Sequence, residues 1–246
     1  MKKIFLFGFF LLSVSCQTAT PTLAPSLYPT STPLSTPQPV PVTSTLPPPP
    51  TFSATLLPRF FTTEFDSALA GWVILQAGND SVPNIKTENG SLLFQMDSPY
   101  TWFYTLYGAQ DYANVRVEAQ FENRAGAPSS IGVMCRYSEE HGWYEFNIST
   151  DGTYNALYGR WLSVGIADYL PILSASSKDI KPSGTSQRIG LACSDTTLWL
   201  YINEKLIRKV DVTRYELIEG KVGITASSFE NTPVIAAFDW VTVSEP

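Results

Sequence analysis

Acid–base chemistry in this chain of 246 residues has to come from carboxylates. There is one histidine, His141, in the run Ser138-Glu139-Glu140-His141-Gly142, which reads as an exposed turn. That excludes multi-histidine metal sites and leaves a Ser-His-Asp triad a single base. Three cysteines are too few for a four-cysteine zinc site or a disulfide-built scaffold. The carboxylates of interest are placed by alternation. Over 114–122, Val115, Val117, Ala119 and Phe121 alternate with Arg116, Glu118 and Gln120. Val133, Cys135 and Tyr137 alternate with Met134 and Arg136, and Tyr144, Phe146 and Ile148 with Glu145 and Asn147. A slip of one residue would bury charges, so the apolar sets are predicted to share the core. Arg116, Glu118, Gln120, Arg136, Glu145 and Asn147 are then predicted to share one outward face. With Ser138–Gly142 joining the second and third of these strands, Arg136 would lie opposite Glu145. There it would hold the carboxylate ionised and orient it; the plainer reading is a solvated ion pair worth about 0.5 kcal/mol. Glu118 with Glu145 is the candidate carboxyl pair of the kind glycoside hydrolysis uses. Glu122 shares Glu118's parity but sits at a strand end beside a loop.

The elements that would position these residues are strands. Short segments rich in Val, Ile, Tyr, Phe and Trp are separated by Gly, Asn, Asp and Pro, and no 11-residue stretch has helical periodicity. Strands are predicted at 91–96, 102–107, 114–122, 131–137, 143–149, 154–159, 187–193, 197–202, 205–210, 221–226 and 235–243. Glu88-Asn89-Gly90, Asp151-Gly152, Ser194-Asp195 and Asn203-Glu204 supply turns between them. About eleven antiparallel strands without helices predict an all-β sandwich of two sheets. Aromatic residues are 13% of the chain. Trp102, Tyr104, Tyr158, Trp161 and Trp199 are candidates for stacking on a planar or ring-shaped ligand, although most aromatics of a sandwich pack its core. Arg160 and Trp161 fall in a long stretch, Gly159–Ser186, read as irregular, and long loops often carry function.

The first 58 residues have another character. Met1-Lys2-Lys3 is basic, Ile4–Leu12 is almost wholly apolar, and small residues precede Cys16. The run is too short to span a bilayer, which takes about 20 residues, and reads as a cleavable export signal over 1–15. Leu11-Leu12-Ser13-Val14-Ser15-Cys16 resembles the lipobox of bacterial lipoproteins, with Ser13 where an apolar residue is usual. The resemblance implies lipidation of Cys16 and a protein held at the cell envelope. Residues 16–58 then form a tether: Gln17–Pro58 holds 12 Pro, 10 Thr and 5 Ser, and no charge occurs between Lys3 and Arg59. Proline fixes φ and lacks a donor, so a polyproline-biased linker is expected. Its 42 residues could reach on the order of 100 Å. The domain is expected over 59–246. Beyond residue 15 the chain holds 14 Lys+Arg against 22 Asp+Glu, which argues against a nucleic-acid partner. If Cys16 is the lipid anchor, two cysteines remain. Both have inward parity, and export places them in an oxidising compartment, so a Cys135–Cys193 disulfide is expected.

Within the domain, Glu64-Phe65-Asp66 with Gly71-Trp72, the strands 131–137 and 144–148, Leu198-Trp199-Leu200-Tyr201-Ile202-Asn203 and Phe238-Asp239-Trp240-Val241-Thr242-Val243 together resemble the concanavalin A-like lectin/glucanase superfamily. The likeness is to its laminin-G-like and 3-keto-disaccharide hydrolase-like branches. It implies a jelly roll of two curved antiparallel sheets whose concave face commonly binds carbohydrate. Tyr144-Glu145-Phe146-Asn147-Ile148 and Arg136 match the hydrolase-like branch's Tyr-Glu-x-Gln-Ile strand and preceding Arg, with Asn147 for Gln. The Glu-x-Asp-x-x-Glu strand of the glucanases is absent. Asp66 and Asp239 are candidate donors to a structural calcium, as in some relatives, and no other cofactor is implied. The leading reading is a lipid-anchored module binding an extracellular glycan or surface polymer without catalysis, through Arg136, Glu145, Asn147, Glu118, Trp102, Tyr104 and Trp161. The alternatives are a glycosidase-like hydrolase using Glu145 with Glu118, and a protein-adhesion module.

Overall fold

The computed structural model describes residues 57–66, 69–82 and 84–246. The signal, Cys16 and the proline-rich segment through residue 56 lie outside the described residues. The fold is all-β: β1 (Phe61–Thr63), β2 (Trp72–Gly78), β3 (Asn84–Glu88), β4 (Ser91–Met96), β5 (Thr101–Tyr112), β6 (Val115–Asn123), β7 (Ser129–Ser138), β8 (Gly142–Ser149), β9 (Thr153–Ser163), β10 (Ile166–Ser176), β11 (Gln187–Ser194), β12 (Thr197–Ile202), β13 (Lys205–Asp211), β14 (Gly220–Ser228) and β15 (Val234–Ser244), with one 3-10 turn at Thr213–Tyr215. One sheet runs β13-β12-β11-β6-β15-β4-β3, with β1 also on β15; the other runs β10-β9-β8-β7-β14-β5-β2. All pairings are antiparallel.

The inward sets meet as expected. Val115, Val117, Ala119 and Phe121 pack with Val133, Cys135, Tyr144, Phe146 and Ile148 in one core between the sheets. Cys135 on β7 and Cys193 on β11 are joined by a disulfide that ties the two sheets together. The outward sets, however, do not share a face. β6 belongs to the eight-stranded sheet and β7 and β8 to the seven-stranded one. Residues pointing away from a common core on opposite sheets point in opposite directions. Glu118 is thus on the far side of the sandwich from Glu145, and the pair expected across neighbouring strands does not form. Alternation tells inside from outside within a strand, not which sheet the strand joins.

Arg136 is a second correction. The β7–β8 register breaks between Cys135 and Ser138, and the β7–β14 register breaks beside it. Arg136 takes a left-handed φ of 52°. Such a bulge reverses the parity that follows it. Met134, not Arg136, stands opposite Glu145. Tyr137, expected inward, joins an apolar cluster on the outer face of the seven-stranded sheet. Arg136 is buried, 3% exposed. Its Nε and Nη2 donate to the Ala113 carbonyl at 2.9 and 2.7 Å, and its Nη1 donates to the Leu217 carbonyl at 2.8 Å. It clips two loops together at one end of the sandwich.

A third correction concerns 159–186. β9 continues to Ser163, and Ile166–Ser176 is a strand pairing with it along its length. Pro171 hides β10 in the sequence; it is accommodated because β10 is an edge strand, where a missing donor breaks no ladder.

Candidate functional site

Curvature of the seven-stranded sheet builds the site. β5 and β10 are five strand steps apart, about 24 Å on a flat sheet. Yet the hydroxyls of Tyr104 on β5 and Tyr169 on β10 are 2.7 Å apart, and the Tyr104 and Trp161 ring centroids are 5.6 Å apart. The sheet is therefore rolled, with its outer face concave. The β9–β10 turn reaches across it: Gly78 N, ending β2, donates to Gly165 O at 3.1 Å. Tyr104, Leu106, Met134, Trp143 and Ala77 fill the centre of this face, with Tyr137, Trp161 and Tyr169 packed against them. Gly159 admits the plug, because a Cβ there would lie 2.4 Å from the Trp143 ring.

Glu145 lies beneath this plug, 2% exposed. Its Oε2 accepts from Trp143 Nε1 at 3.0 Å and from the Tyr169 hydroxyl at 2.9 Å. Its Oε1 accepts from the Thr225 hydroxyl at 2.8 Å. The single hydroxyl proton of Tyr169 is committed to Glu145, so Tyr104 must donate to Tyr169. Burial pushes the Glu145 carboxyl above its ordinary pKa, against the donors of Trp143, Thr225, Tyr169 and Asn147, which favour the ionised form. Burial, and then the Glu145 charge, push both Tyr104 and Tyr169 upward. The two tyrosines thus stay neutral and serve as donors.

Past the plug the concave face opens into a pocket of about 270 Å³ lined by Trp102, Ser130, Asn147, Ser149, Asn155, Leu157, Tyr169, Ser227 and Phe229. Three strands bring its polar floor together: Ser130 on β7, Asn147 and Ser149 on β8, Ser227 on β14. Asn147 is 7% exposed, and its Oδ1 has no hydrogen-bond partner among the described residues. Gly132 makes room for that oxygen; a Cβ there would come within 2.0 Å of it. The oxygen is thus packed down against the sheet at Gly132, and Asn147 lines the pocket floor above it.

The other sequence candidates are dispersed. Tyr104 and Trp161 belong to the plug, and only Trp102 of the stacking candidates on this face borders the pocket. Arg160 pairs with Asp168 at 3.0 Å. Trp161, Tyr137, His141, Tyr158, Arg160 and Lys221 edge a wider cleft of about 1180 Å³ at one end of the sandwich, along with Asp111, Glu139, Glu140, Glu216 and Glu219. The His141 side chain is 72% exposed there, 3.7 Å from Glu140. Tyr158 stacks on Tyr215, and Trp199 lies under the Lys209 ammonium, 3.6 Å from its ring centre. Glu118 binds Arg116 at 2.8 Å on the far sheet. Asp239 accepts from Ser91 and Gln120, while Asp66 approaches Gly90. Among the described residues no three His, Cys, Asp or Glu side chains converge as a metal set.

Sequence reasoning missed Thr225, Tyr169, Ser130, Ser227 and Phe229. Tyr169 stood in the stretch read as loop. The serines and Thr225 are small polar residues at outward positions, a signal shared by any solvated strand.

No family model matches the chain, and no curated protein sequence matches it. Solved structures do. A Bacillus licheniformis β-glucanase superposes with a TM-score of 0.54 at 12% identity, covering 76% of this chain and 98% of that one. The carbohydrate-binding module CBM66 from Bacillus subtilis gives 0.54 at 13%, covering 71% and 96%. A Bacillus subtilis protein of unknown function with a galectin-like fold gives 0.54 at 11%, covering 75% and 94%. At such identities the likeness shows the fold alone: an all-β jelly-roll sandwich of two antiparallel sheets.

Proposed function

We propose that the domain binds an extracellular carbohydrate in the concave-face pocket without cleaving it, on a protein exported and held at the cell envelope through a lipid on Cys16. The observation that carries this reading is the pocket itself. It has an aromatic and apolar wall of Trp102, Leu157 and Phe229, and a floor of hydroxyls and amides from Ser130, Asn147, Ser149, Asn155 and Ser227. Rings with one apolar face and a rim of hydroxyls suit such a mixture. Solved structures of similar fold include a carbohydrate-binding module and a β-glucanase.

Binding is favoured over cleavage by the state of the carboxyls. Hydrolysis of a glycoside takes two, about 5–9.5 Å apart and both within reach of substrate. Glu145 is sealed under aromatic rings with both oxygens occupied, and Glu118 is on the opposite sheet. The test is to incubate the full chain with oligosaccharides and follow binding and new reducing ends together. Binding with no product supports the proposal. Product that disappears in Glu145→Gln would establish the hydrolase reading instead.

Protein adhesion draws on one observation. At the β9–β10 tip Leu162, Val164 and Ile166 are exposed together, and clustered exposed aliphatics mark contact surfaces.

A further inference from the structure

We infer that the pocket takes one uncharged ring at the end of a sugar chain, rather than a stretch of the chain's interior. This rests on the carbohydrate reading above and deepens it.

Three features lead there. The first is size. At about 270 Å³ the pocket falls just below the roughly 300–1,000 Å³ of clefts that take drug-sized molecules, which leaves room for one ring and its substituents.

The second is closure. An interior segment needs a groove open at both ends. Here the concave face is blocked past Tyr169, whose hydroxyl bonds to Tyr104 on one side and Glu145 on the other. Trp143 packs against both tyrosines, with ring centroids 5.7 and 5.8 Å away. Gly78 and Gly165 close the rim above. A chain lying along the face from the side of the exposed Phe229 runs into this wall, with its last ring against Tyr169.

The third is charge. None of the nine lining side chains is ionisable except the Tyr169 phenol, which burial and Glu145 keep protonated. A uronic acid or a phosphorylated sugar would enter with no cationic side chain in the lining to pair with, which is costly. A neutral hydroxyl, by contrast, finds hydroxyl and amide partners in Ser130, Ser149, Ser227 and Asn155.

The test uses the full chain and a panel of linear neutral oligosaccharides of one to six units, with glucose, galactose, mannose, fructose and N-acetylhexosamine ends. Beside each stand the same chain closed into a ring and the same chain with its end ring oxidised to a uronic acid. Affinity is read by titration calorimetry. The inference expects at least one linear neutral series to bind with an affinity per chain that is flat beyond two units, and its cyclic and acidic forms to bind at least about tenfold more weakly. Asn147→Ala should lose about tenfold. So should Asn155→Phe, which narrows the pocket from a half-buried lining position and guards against a folding defect in the first variant. Affinity that climbs with length and persists in cyclic chains would overturn the chain-end assignment while leaving carbohydrate binding intact. Equal affinity for acidic ends would overturn the neutral assignment. Failure of every neutral and acidic probe would remove the carbohydrate reading itself, and this inference with it.

Discussion

Glu145 shows how a residue's chemistry is set by what covers it. The sequence places it on an outward strand position, where a carboxylate is normally solvated and ionised. Here burial raises its pKa above the ordinary 4.5. A folded-state pKa above the unfolded one means that the folded protein binds the extra proton between the two values. This contribution to stability is therefore present in full below the unfolded pKa and is lost as pH rises through the folded one. Thermal unfolding from pH 4 to 8 should show wild type losing stability relative to Glu145→Gln as pH rises, because the amide does not titrate. A difference that stays flat would show that Glu145 is not perturbed by its burial. Arg136 makes the opposite point. Its family-like position suggested a ligand contact, yet its guanidinium is spent on the carbonyls of Ala113 and Leu217. Arg136→Ala should lower stability by about 1–3 kcal/mol, the cost of leaving buried acceptors unpaired, and leave sugar affinity unchanged in the folded fraction. Chemical denaturation and titration of one preparation measure both. The position of Arg136 was legible in the sequence; its bulge was not, since nothing in Cys135-Arg136-Tyr137-Ser138 announces a left-handed residue.

At the scale of elements, alternation revealed eleven strands because each has one face in the core and one facing away. It missed β2, β3 and β10, which lie at sheet edges where exposure weakens the pattern, and it missed β1, which has only three residues. The missing β10 mattered most, for it carries Tyr169 and closes the concave face. Which strands share a sheet was equally hidden, because β6 and β7 follow one another in sequence but lie in different sheets. The cysteine pair was legible from inward parity, with Cys16 read as the lipid anchor and export placing the other two in an oxidising compartment. The bridge spans a sequence separation of 58 and joins the two sheets near one end of their strands. By loop-closure entropy such a loop contributes about 4 kcal/mol. Changing both cysteines to alanine should lower the unfolding free energy by an amount of that order in a denaturant titration. A change below about 1 kcal/mol would mean that packing, not the crosslink, holds the sheets together.

On the scale of the whole molecule, the rolled sheet converts a face that could run open from edge to edge into a plugged one with a pocket at its end. Its curvature sets the size of what fits, and the uncharged lining sets its charge. The proposal that the chain is delivered to the envelope on a lipid rests on Cys16 and its upstream small residues. It predicts that Cys16→Ser shifts the protein from the membrane pellet to the soluble fraction on ultracentrifugation of the producing bacterium. Retention in the pellet would contradict it. The most direct test of the central claim is a calorimetric titration of the full chain with the neutral oligosaccharide panel, wild type beside Asn147→Ala and Trp199→Ala, the last lying on the opposite sheet. Wild type and Trp199→Ala should bind, and Asn147→Ala should lose about tenfold. Binding that survives Asn147→Ala but fails in Trp199→Ala would move the site to the other face and contradict the account.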